Sequence, residues 1–146
     1  MKQTITSFVG QYSYLNPAYL HPIEWEGDTY PSILAAVEAS KFDKDRRLAF
    51  RAGNPHMTVM GYVRPYTEVQ KEVLRECLYS RFKEGTEFRK ILDSTKGKEL
   101  VDGNDAHRNW YGACSCSRCA LSAKHNWVGN ILMEIRDSSH EETPTP

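Results

Sequence analysis

Residues 23–42 constrain the fold most, because two different secondary-structure patterns follow each other there without a linker. Residues 23–30 alternate apolar and polar side chains on either side of a turn-forming Glu-Gly-Asp at 26–28, which is typical of a tight β-hairpin. Ser32 follows a proline and can cap a helix over about 33–42. The segment therefore predicts a short hairpin that leads directly into a helix.

Helical spacing is clearest over Thr67–Phe82, where apolar side chains recur every three or four residues. Thr67 and Gln70 form a capping-box pattern at its start. A final helix is predicted over Asn126–Asp137. The predicted buried faces consist of Val69, Val73, Leu74, Cys77, Leu78 and Phe82 in the first helix, and of Val128, Ile131, Leu132 and Ile135 in the last.

The remaining elements are shorter. We expect an ordered loop over 11–22, a helix from about Asp45 that ends before Gly53, and a helix over Thr86–Thr95 with Phe88, Ile91 and Leu92 inside. Gly97 ends that helix, and Leu100-Val101 suits a brief strand. Together the elements predict an α+β fold, mainly α-helical, in a single domain over residues 1–137 with a short β-hairpin near its N-terminus.

The composition is ordinary for a folded domain of 146 residues, with 40% hydrophobic and 26% charged side chains. The 19 basic and 19 acidic residues balance, so no global field attracts nucleic acid. No apolar run approaches the roughly 20 residues that span a bilayer, and no signal peptide is visible, so we expect a cytoplasmic protein without a membrane partner. Residues 138–146 are polar and predict a disordered tail.

The cysteines suggest two different structures for one loop. Cys114, Cys116 and Cys119 are close together in the sequence, and such spacing without a secretion signal favours reduced thiols. The three thiols are soft ligands, which His107 or His125 could complete to a tetrahedral zinc site. Zinc motifs usually pair two Cys-x-x-Cys segments, and this chain has one. We therefore expect a reduced loop and no cofactor, with a structural zinc as the alternative.

Short motifs in the two halves of the chain form one larger pattern. Tyr14-Leu15-Asn16 precedes the hairpin, and Glu26–Ser32 leads into a helix that ends in Ala39, Lys41 and Phe42. Over residues 12–136, the order and spacing resemble those of the NADAR family, which is named for NAD and ADP-ribose and includes N-glycosidases that cut a ribose–nitrogen bond. In the second half, the positions that match the family are Asn104, Gly112, Asn126, Gly129, Leu132 and Met133.

One departure from the NADAR pattern concerns a helical glutamate. Leu34 stands where the family has that glutamate, and Glu38 stands where the family has a glutamine. Positions four apart lie on one helix face, about 5 Å from each other along the axis. A carboxylate at 38 could therefore reach the same pocket, but only with the substrate placed differently.

Other departures concern an aspartate, a tryptophan and an arginine of the family. In an ungapped alignment Arg108 takes the place of the aspartate and Tyr111 that of the tryptophan. Asp105 and Trp110 are the nearest residues that could compensate. Arg64 lies near the position of the missing arginine and could supply its charge.

The resemblance implies hydrolysis of a ribose–nitrogen bond through a cation-like ribose, which a nearby carboxylate can stabilise. Glu38 and Asp105 are the expected catalytic residues, with Asp102 as a weaker candidate. Aromatic rings can stack on the base, while cations and helix-start N–H groups can hold a diphosphate. The expected substrate-binding residues are Asn16, Tyr30, Lys41, Arg64, Asn104, Arg108, Trp110, Tyr111, Gly112, Asn126 and Gly129.

Each of these residue types also has a purely structural role in many proteins. The structural alternatives are a surface ion pair with Lys41 for Glu38, core packing for Trp110 and Tyr111, and helix capping or close packing for Asn126 and Gly129.

The family resemblance implies a partner that contains ADP-ribose. We expect release of ADP-ribose from ADP-ribosylated guanine, in DNA or in a guanosine nucleotide, a role that would suit a phage or a toxin–antitoxin pair. One alternative is a protein that binds an ADP-ribose-like nucleotide without cutting it, because the family acids are absent at Leu34 and Arg108. Another is an N-glycosidase that cleaves a phosphoribosyl-aminopyrimidine intermediate of riboflavin synthesis.

Overall fold

The computed structural model describes residues 3–42, 47, 51, 68–104, 111–114, 116–121 and 123–138. Backbone contacts divide the chain into two compact units. The hairpin unit consists of the described residues within 17–81, and the terminal unit consists of those within 3–16 and 82–138. The fold is α+β and mainly helical, as the sequence predicts.

Four α-helices, six short strands and two 3-10 helices are described. In chain order they are β1 (Thr4–Ile5), the first 3-10 helix (Gly10–Leu15), β2 (Ile23–Trp25), β3 (Asp28–Tyr30), α1 (Ile33–Ala39), α2 (Glu68–Arg81), α3 (Glu87–Asp93), β4 (Glu99–Leu100), β5 (Gly103–Asn104), β6 (Ala113–Cys114), the second 3-10 helix (Ser117–Cys119) and α4 (Trp127–Ser138).

The predicted hairpin is confirmed. β2 and β3 pair in antiparallel fashion, with Ile23 opposite Tyr30. Both residues of the turn have positive φ, 51° at Glu26 and 84° at Gly27, which is the pattern of a type I′ turn. Gly27 adopts this backbone without a steric cost, so the turn directs the chain back along β2 with the twist that strands prefer.

α1 begins where the sequence predicts and ends earlier. Ser32 Oγ accepts a hydrogen bond from the Ala35 amide at 3.1 Å, which satisfies one of the unpaired N–H groups of the first turn. The helix ends at Ala39 instead of Phe42. It packs against the hairpin and against α2, and only one of its residues escapes full burial.

α2 occupies nearly the predicted range, and its buried face differs in the first turn. The predicted core residues Val73, Leu74, Cys77 and Leu78 are buried. Val69 is 60% exposed, so its prediction as a core residue is wrong. Gln70 is buried in its place, and Thr67, the predicted capping residue, lies outside the described residues.

The terminal unit contains two pairs of parallel strands. β1 pairs with β4, with Ile5 opposite Leu100, and β5 pairs with β6, with Gly103 opposite Ala113. The sequence predicted only a strand at 100–101, which the structure places at 99–100. Two-residue strands are too short to show an alternating pattern, so the other three were not predicted.

α3 begins within one residue of its predicted start, and Thr86 caps it, because Thr86 Oγ1 accepts a hydrogen bond from the Arg89 amide at 3.0 Å. Its interior side differs from the prediction. Leu92 is buried, whereas Phe88 and Ile91 are only half-buried. Arg89 is buried instead, and it donates hydrogen bonds to the carbonyls of Phe82 and Ile135 at 3.0 and 3.3 Å. A paired arginine therefore takes a place that apolar spacing assigned to hydrophobic residues.

α4 supplies the predicted core face of the terminal unit. Its four predicted core residues, Val128, Ile131, Leu132 and Ile135, are all buried. Arg136, also buried, donates hydrogen bonds to the carbonyls of Thr95 and Lys98 at 3.0 and 2.8 Å. These bonds tie α4 to the chain just beyond α3.

Several sequence predictions fall on residues outside the described ranges. Among these are most of the helix expected between Asp45 and Gly53, of which Arg47 and Arg51 are described, and residues 139–146 of the expected tail. None of the described helices has the length and hydropathy needed to cross a membrane.

Candidate functional site

The predicted site residues fall in both units of the chain. Tyr30, Glu38 and Lys41 lie in the hairpin unit. Asn16, Asn104, Tyr111, Gly112, Asn126 and Gly129 lie in the terminal unit. The predicted residues outside the described ranges are Arg64, Asp105, Arg108 and Trp110, together with His107 of the alternative zinc site.

Glu38 is the only residue of α1 that is not fully buried. Its side chain is 19% exposed, and the side chain of Lys41, which is 10% exposed, places Nζ 2.8 Å from Glu38 Oε1. This ion pair is the one expected from a structural role, but it is largely withdrawn from water. Salt screens such a pair less than it screens an exposed pair. The carboxylate is therefore held in a fixed position at the end of an apolar helix.

Leu34 lies one turn before Glu38 and is 1% exposed. Its amide donates a hydrogen bond to the carbonyl of Pro17 at 2.8 Å, which fixes this end of α1. The position that holds a glutamate in the NADAR pattern is therefore part of the apolar core here. The carboxylate of this helix is presented one turn later instead.

Two arginines that were not predicted as site residues form ion pairs with the hairpin. Arg47 NH1 lies 3.0 Å from Glu26 Oε1, and its guanidinium lies 4.7 Å from the ring centroid of Trp25. Arg51 NH1 lies 2.8 Å from Asp28 Oδ1. Glu26 lies in the turn and Asp28 directly follows it, so the two ion pairs fix the turn. The pairs join residues 21 and 23 positions apart, and local spacing gives no signal for them.

Tyr30 ends the hairpin with a buried side chain. Its ring centroid lies 6.3 Å from that of Trp25, and its hydroxyl is buried without a hydrogen-bond partner among the described residues. Burial, and next the charge of Asp28, raises the pKa of Tyr30 above its ordinary value. The hydroxyl therefore stays neutral and can act as a donor. The ring face predicted to stack on a base is covered by the fold in this conformation.

Asn126 uses both ends of its side-chain amide inside the protein. Oδ1 accepts a hydrogen bond from the Asp102 amide at 2.9 Å, and Nδ2 donates to the Leu100 carbonyl at 3.0 Å. Its backbone has a positive φ of 48°, a conformation that asparagine tolerates better than most residues. The side chain thus ties the start of α4 to the connection between β4 and β5, which supports its structural alternative.

The start of α4 is closely packed. A Cβ added to Gly129 would collide with the Leu100 carbonyl oxygen, and one added to Gly112 would collide with that of Asp102. The Val128 amide donates to the Tyr111 carbonyl at 2.9 Å. Because this N–H is used inside the fold, it is not available to hold a diphosphate.

Tyr111 is buried and packs edge-on against Trp127, with ring centroids 6.3 Å apart. This contact is the core packing named as the alternative to base stacking. Asn16 ends the first 3-10 helix, and its Nδ2 donates to the Phe8 carbonyl at 3.4 Å. The Asn104 backbone pairs with Cys114 between β5 and β6. Substrate contacts of these residues stay predictions.

A cavity of about 360 Å³ lies within the hairpin unit, and none of the predicted site residues that the structure describes lines it. Its walls are acidic and apolar, and they consist of Trp25, Glu26, Glu68, Val69, Glu72, Val73 and Glu76. Four carboxylates oppose the binding of a diphosphate by charge repulsion. The cavity is therefore not assigned to ADP-ribose.

The three clustered cysteines meet in space. The sulfur atoms of Cys114, Cys116 and Cys119 all lie within 4.8 Å of one another. Among the described residues no histidine or carboxylate joins this group, so His125 is not its fourth member. His125 is exposed and its ring lies 6.5 Å from that of Trp127.

Comparison with known proteins finds similar sequences that align with nearly the whole chain. Two curated proteins, both called N-glycosidase YbiA and both from Shigella flexneri, one of them from serotype 5b (strain 8401), are each 26% identical to it over 149 residues, which cover 94% of this chain and 89% of theirs. The chain is thus similar to YbiA, a NADAR protein. No protein-family profile matches it.

The fold agrees with this relationship. The NMR structure of the YbiA protein from E. coli superposes with a TM-score of 0.71 and 23% sequence identity, over 98% of this chain and 91% of that one. The resemblance to NADAR, inferred from the order and spacing of short motifs, is confirmed. The departure at Leu34 therefore arises within a YbiA-like fold.

Proposed function

We propose that this chain is an N-glycosidase that hydrolyses a ribose–nitrogen bond, and that its substrate is ADP-ribosylated guanine in DNA or in a guanosine nucleotide. The name of the YbiA relatives supports the reaction class. The observation on which the proposal rests is Glu38, the only residue of α1 that reaches solvent and one whose carboxylate is fixed by Lys41.

The proposed reaction consumes one water molecule. The bond that breaks joins the guanine nitrogen to C1′ of the ribose through which ADP-ribose is attached. The electron pair stays on the nitrogen, and positive charge develops on that ribose. The Glu38 carboxylate stabilises that charge and orients the water, which adds to C1′. One water proton replaces the ribose on the guanine nitrogen. The products are free ADP-ribose, with the hydroxyl on C1′, and unmodified guanine.

Lys41 has a positioning role in this proposal. Its ammonium group lies 2.8 Å from one carboxylate oxygen and restricts the rotation of the Glu38 side chain. A carboxylate that is already oriented needs little reorganisation when charge develops beside it. The pair is thus used both in the fold and in the reaction.

A second candidate function is binding of an ADP-ribose-like nucleotide without cleavage. The observation that favours it is the burial of Leu34, because the glutamate of the NADAR pattern has no counterpart at its own position. The two functions differ in the fate of the ligand. Cleavage yields free ADP-ribose, whereas binding alone leaves the nucleotide intact.

The experiment that tests the proposal incubates the purified protein with ADP-ribosylated guanosine and follows the products by mass spectrometry. A parallel reaction contains a phosphoribosyl-aminopyrimidine, the substrate of the riboflavin-pathway alternative. We expect free ADP-ribose from the first reaction. Cleavage of the second compound alone would replace our substrate with that alternative, and an intact nucleotide that co-purifies with the protein would establish the binding function.

Two variants assign the catalytic residue. Glu38→Gln keeps the size of the side chain and removes its charge, so turnover should fall by about 100-fold or more. Glu24→Gln makes the same change at an exposed position of β2 and should leave turnover unaltered. Full activity of a folded Glu38→Gln variant would exclude Glu38 from the reaction.

A further inference from the structure

The geometry points to a zinc site formed by Cys114, Cys116 and Cys119. Their three sulfur atoms lie within 4.8 Å of one another, although the residues belong to different backbone elements. Cys114 ends β6, Cys116 precedes the second 3-10 helix, and Cys119 ends that helix. The proposal goes beyond the N-glycosidase function and does not depend on it.

The sulfur spacing suits a tetrahedral ion. Zinc–thiolate bonds are about 2.3 Å long, so the sulfur atoms of one tetrahedral site lie roughly 3.8 Å apart. Thiols already within 4.8 Å of one another need only a small inward movement to share an ion. Thiolate donors select soft or borderline ions such as zinc and disfavour magnesium and calcium, which prefer oxygen ligands.

The surrounding chain fixes the loop that presents these thiols. The Cys119 amide donates a hydrogen bond to the Cys116 carbonyl at 3.1 Å, which closes the turn between them. Lys124 Nζ donates to the Cys119 carbonyl, which brings an ammonium group to the same loop. Cys114 and Cys119 are buried and Cys116 is half-buried, so the ion can enter from one side.

Charge balance also favours a cation here. Binding of one Zn²⁺ by three thiols releases three protons to solvent and leaves one net negative charge on the site. The Lys124 ammonium offsets that charge. No described histidine or carboxylate joins the three thiols, so the fourth position is open to a water molecule or to His107, which lies outside the described residues.

The expected role of the zinc is to anchor β6. Cys114 lies opposite Asn104 in the β5–β6 pair and follows Gly112, which packs against Asp102. An ion that links Cys114 to the second 3-10 helix fixes the end of a two-residue strand, which has few hydrogen bonds of its own. The site would thereby hold the segment that contains Tyr111 and Gly112.

The test measures the metal content of protein that was produced in zinc-supplemented medium and purified without a metal-affinity step. Inductively coupled plasma mass spectrometry should give one zinc per chain, and each Cys→Ser variant of the three thiols should lose most of it. Cys77→Ala is the matched control, because Cys77 is buried in α2 and lies outside the cluster. That variant should keep one zinc.

A second measurement uses the unaltered chain, so that a variant that fails to fold cannot decide the result. Protein stripped of metal is titrated with Co²⁺, whose thiolate charge-transfer absorption should saturate at one equivalent and disappear when Zn²⁺ is added. Less than about a tenth of an equivalent of zinc in the first measurement, with no such absorption in the second, would overturn the proposal. A disulfide between Cys116 and Cys119 that persists in the presence of a reducing agent during purification would also overturn the proposal.

Discussion

Lys41 Nζ and Glu38 Oε1 lie 2.8 Å apart across one turn at the end of α1, and neither side chain is more than a fifth exposed. The same residue types at the same spacing form a second ion pair, between Glu87 and Lys90 of α3, at 3.2 Å. Those two side chains are 73% and 71% exposed. The molecule therefore offers a largely buried pair and an exposed pair that differ chiefly in their access to water.

This contrast predicts a difference in coupling free energy. In double-mutant cycles with Glu→Gln and Lys→Met, the Glu38–Lys41 pair should couple by about 1–3 kcal/mol, since each variant leaves one charge partly buried without its partner. The Glu87–Lys90 pair should couple by about 0–0.5 kcal/mol. Urea denaturation of both cycles measures the two values. Equal coupling in both pairs would contradict the view that Glu38 is fixed in a poorly solvated position.

Asn126 provides a prediction about the start of α4. Asn126→Ala removes hydrogen bonds to the Asp102 amide and the Leu100 carbonyl and strains a backbone with positive φ, so it should cost about 2–4 kcal/mol of unfolding free energy. Asn130→Ala is the control, because Asn130 is exposed and donates one hydrogen bond, to the His125 carbonyl. It should cost about 0.5 kcal/mol or less. A similar loss in both variants would refute the structural role of the Asn126 amide.

Gly129 tests the close approach between α4 and β4. In an ordinary helix interior, Gly→Ala stabilises a protein by about 0.5–1 kcal/mol. In this chain the new methyl group would collide with the Leu100 carbonyl oxygen, so Gly129→Ala should instead destabilise by about 1–3 kcal/mol. Thermal unfolding of the variant gives the sign directly. A higher melting temperature would contradict this prediction, because it would mean that α4 and β4 move apart at little cost to admit the methyl group.

Local chemistry explains which parts of this fold the sequence could predict. The hairpin turn at Gly27 and the cap at Ser32 depend on residues within three positions of each other, and both are confirmed. The apolar face of α4 follows from spacing within one helix. Short segments of sequence predict such features because the residues that form them are close together in the chain.

Other features depend on contacts between distant residues. Val69 has the right spacing for the core of α2 but is exposed, and the buried Arg89 donates a hydrogen bond to the carbonyl of Ile135, far along the chain. Among the site residues, the Glu38–Lys41 pair followed from spacing, whereas the meeting of Arg47 and Arg51 with the hairpin did not. Partners that are 21 or more positions away leave no local pattern.

Cys77 gives a prediction about pH. Burial, and next the charge of Glu76, raises the pKa of its thiol from 9.0 to about 12. A thiol is neutral when protonated, so a raised pKa means that the folded state holds the proton more tightly than the unfolded state does. The resulting contribution to stability is present in full below pH 9 and is lost as the pH rises towards 12.

The measurement is urea denaturation between pH 8 and pH 11, the range in which an unfolded thiol ionises and the folded one does not. The stability of the unaltered chain should decline over this range more steeply than that of Cys77→Ala, which has no thiol at this position. Alkylation followed by mass spectrometry provides an independent check, since Cys77 should react only as fast as the protein unfolds, while the half-buried Cys116 reacts in the metal-free folded state. Parallel pH profiles for the two proteins, together with rapid alkylation of Cys77, would show that its thiol is accessible to solvent.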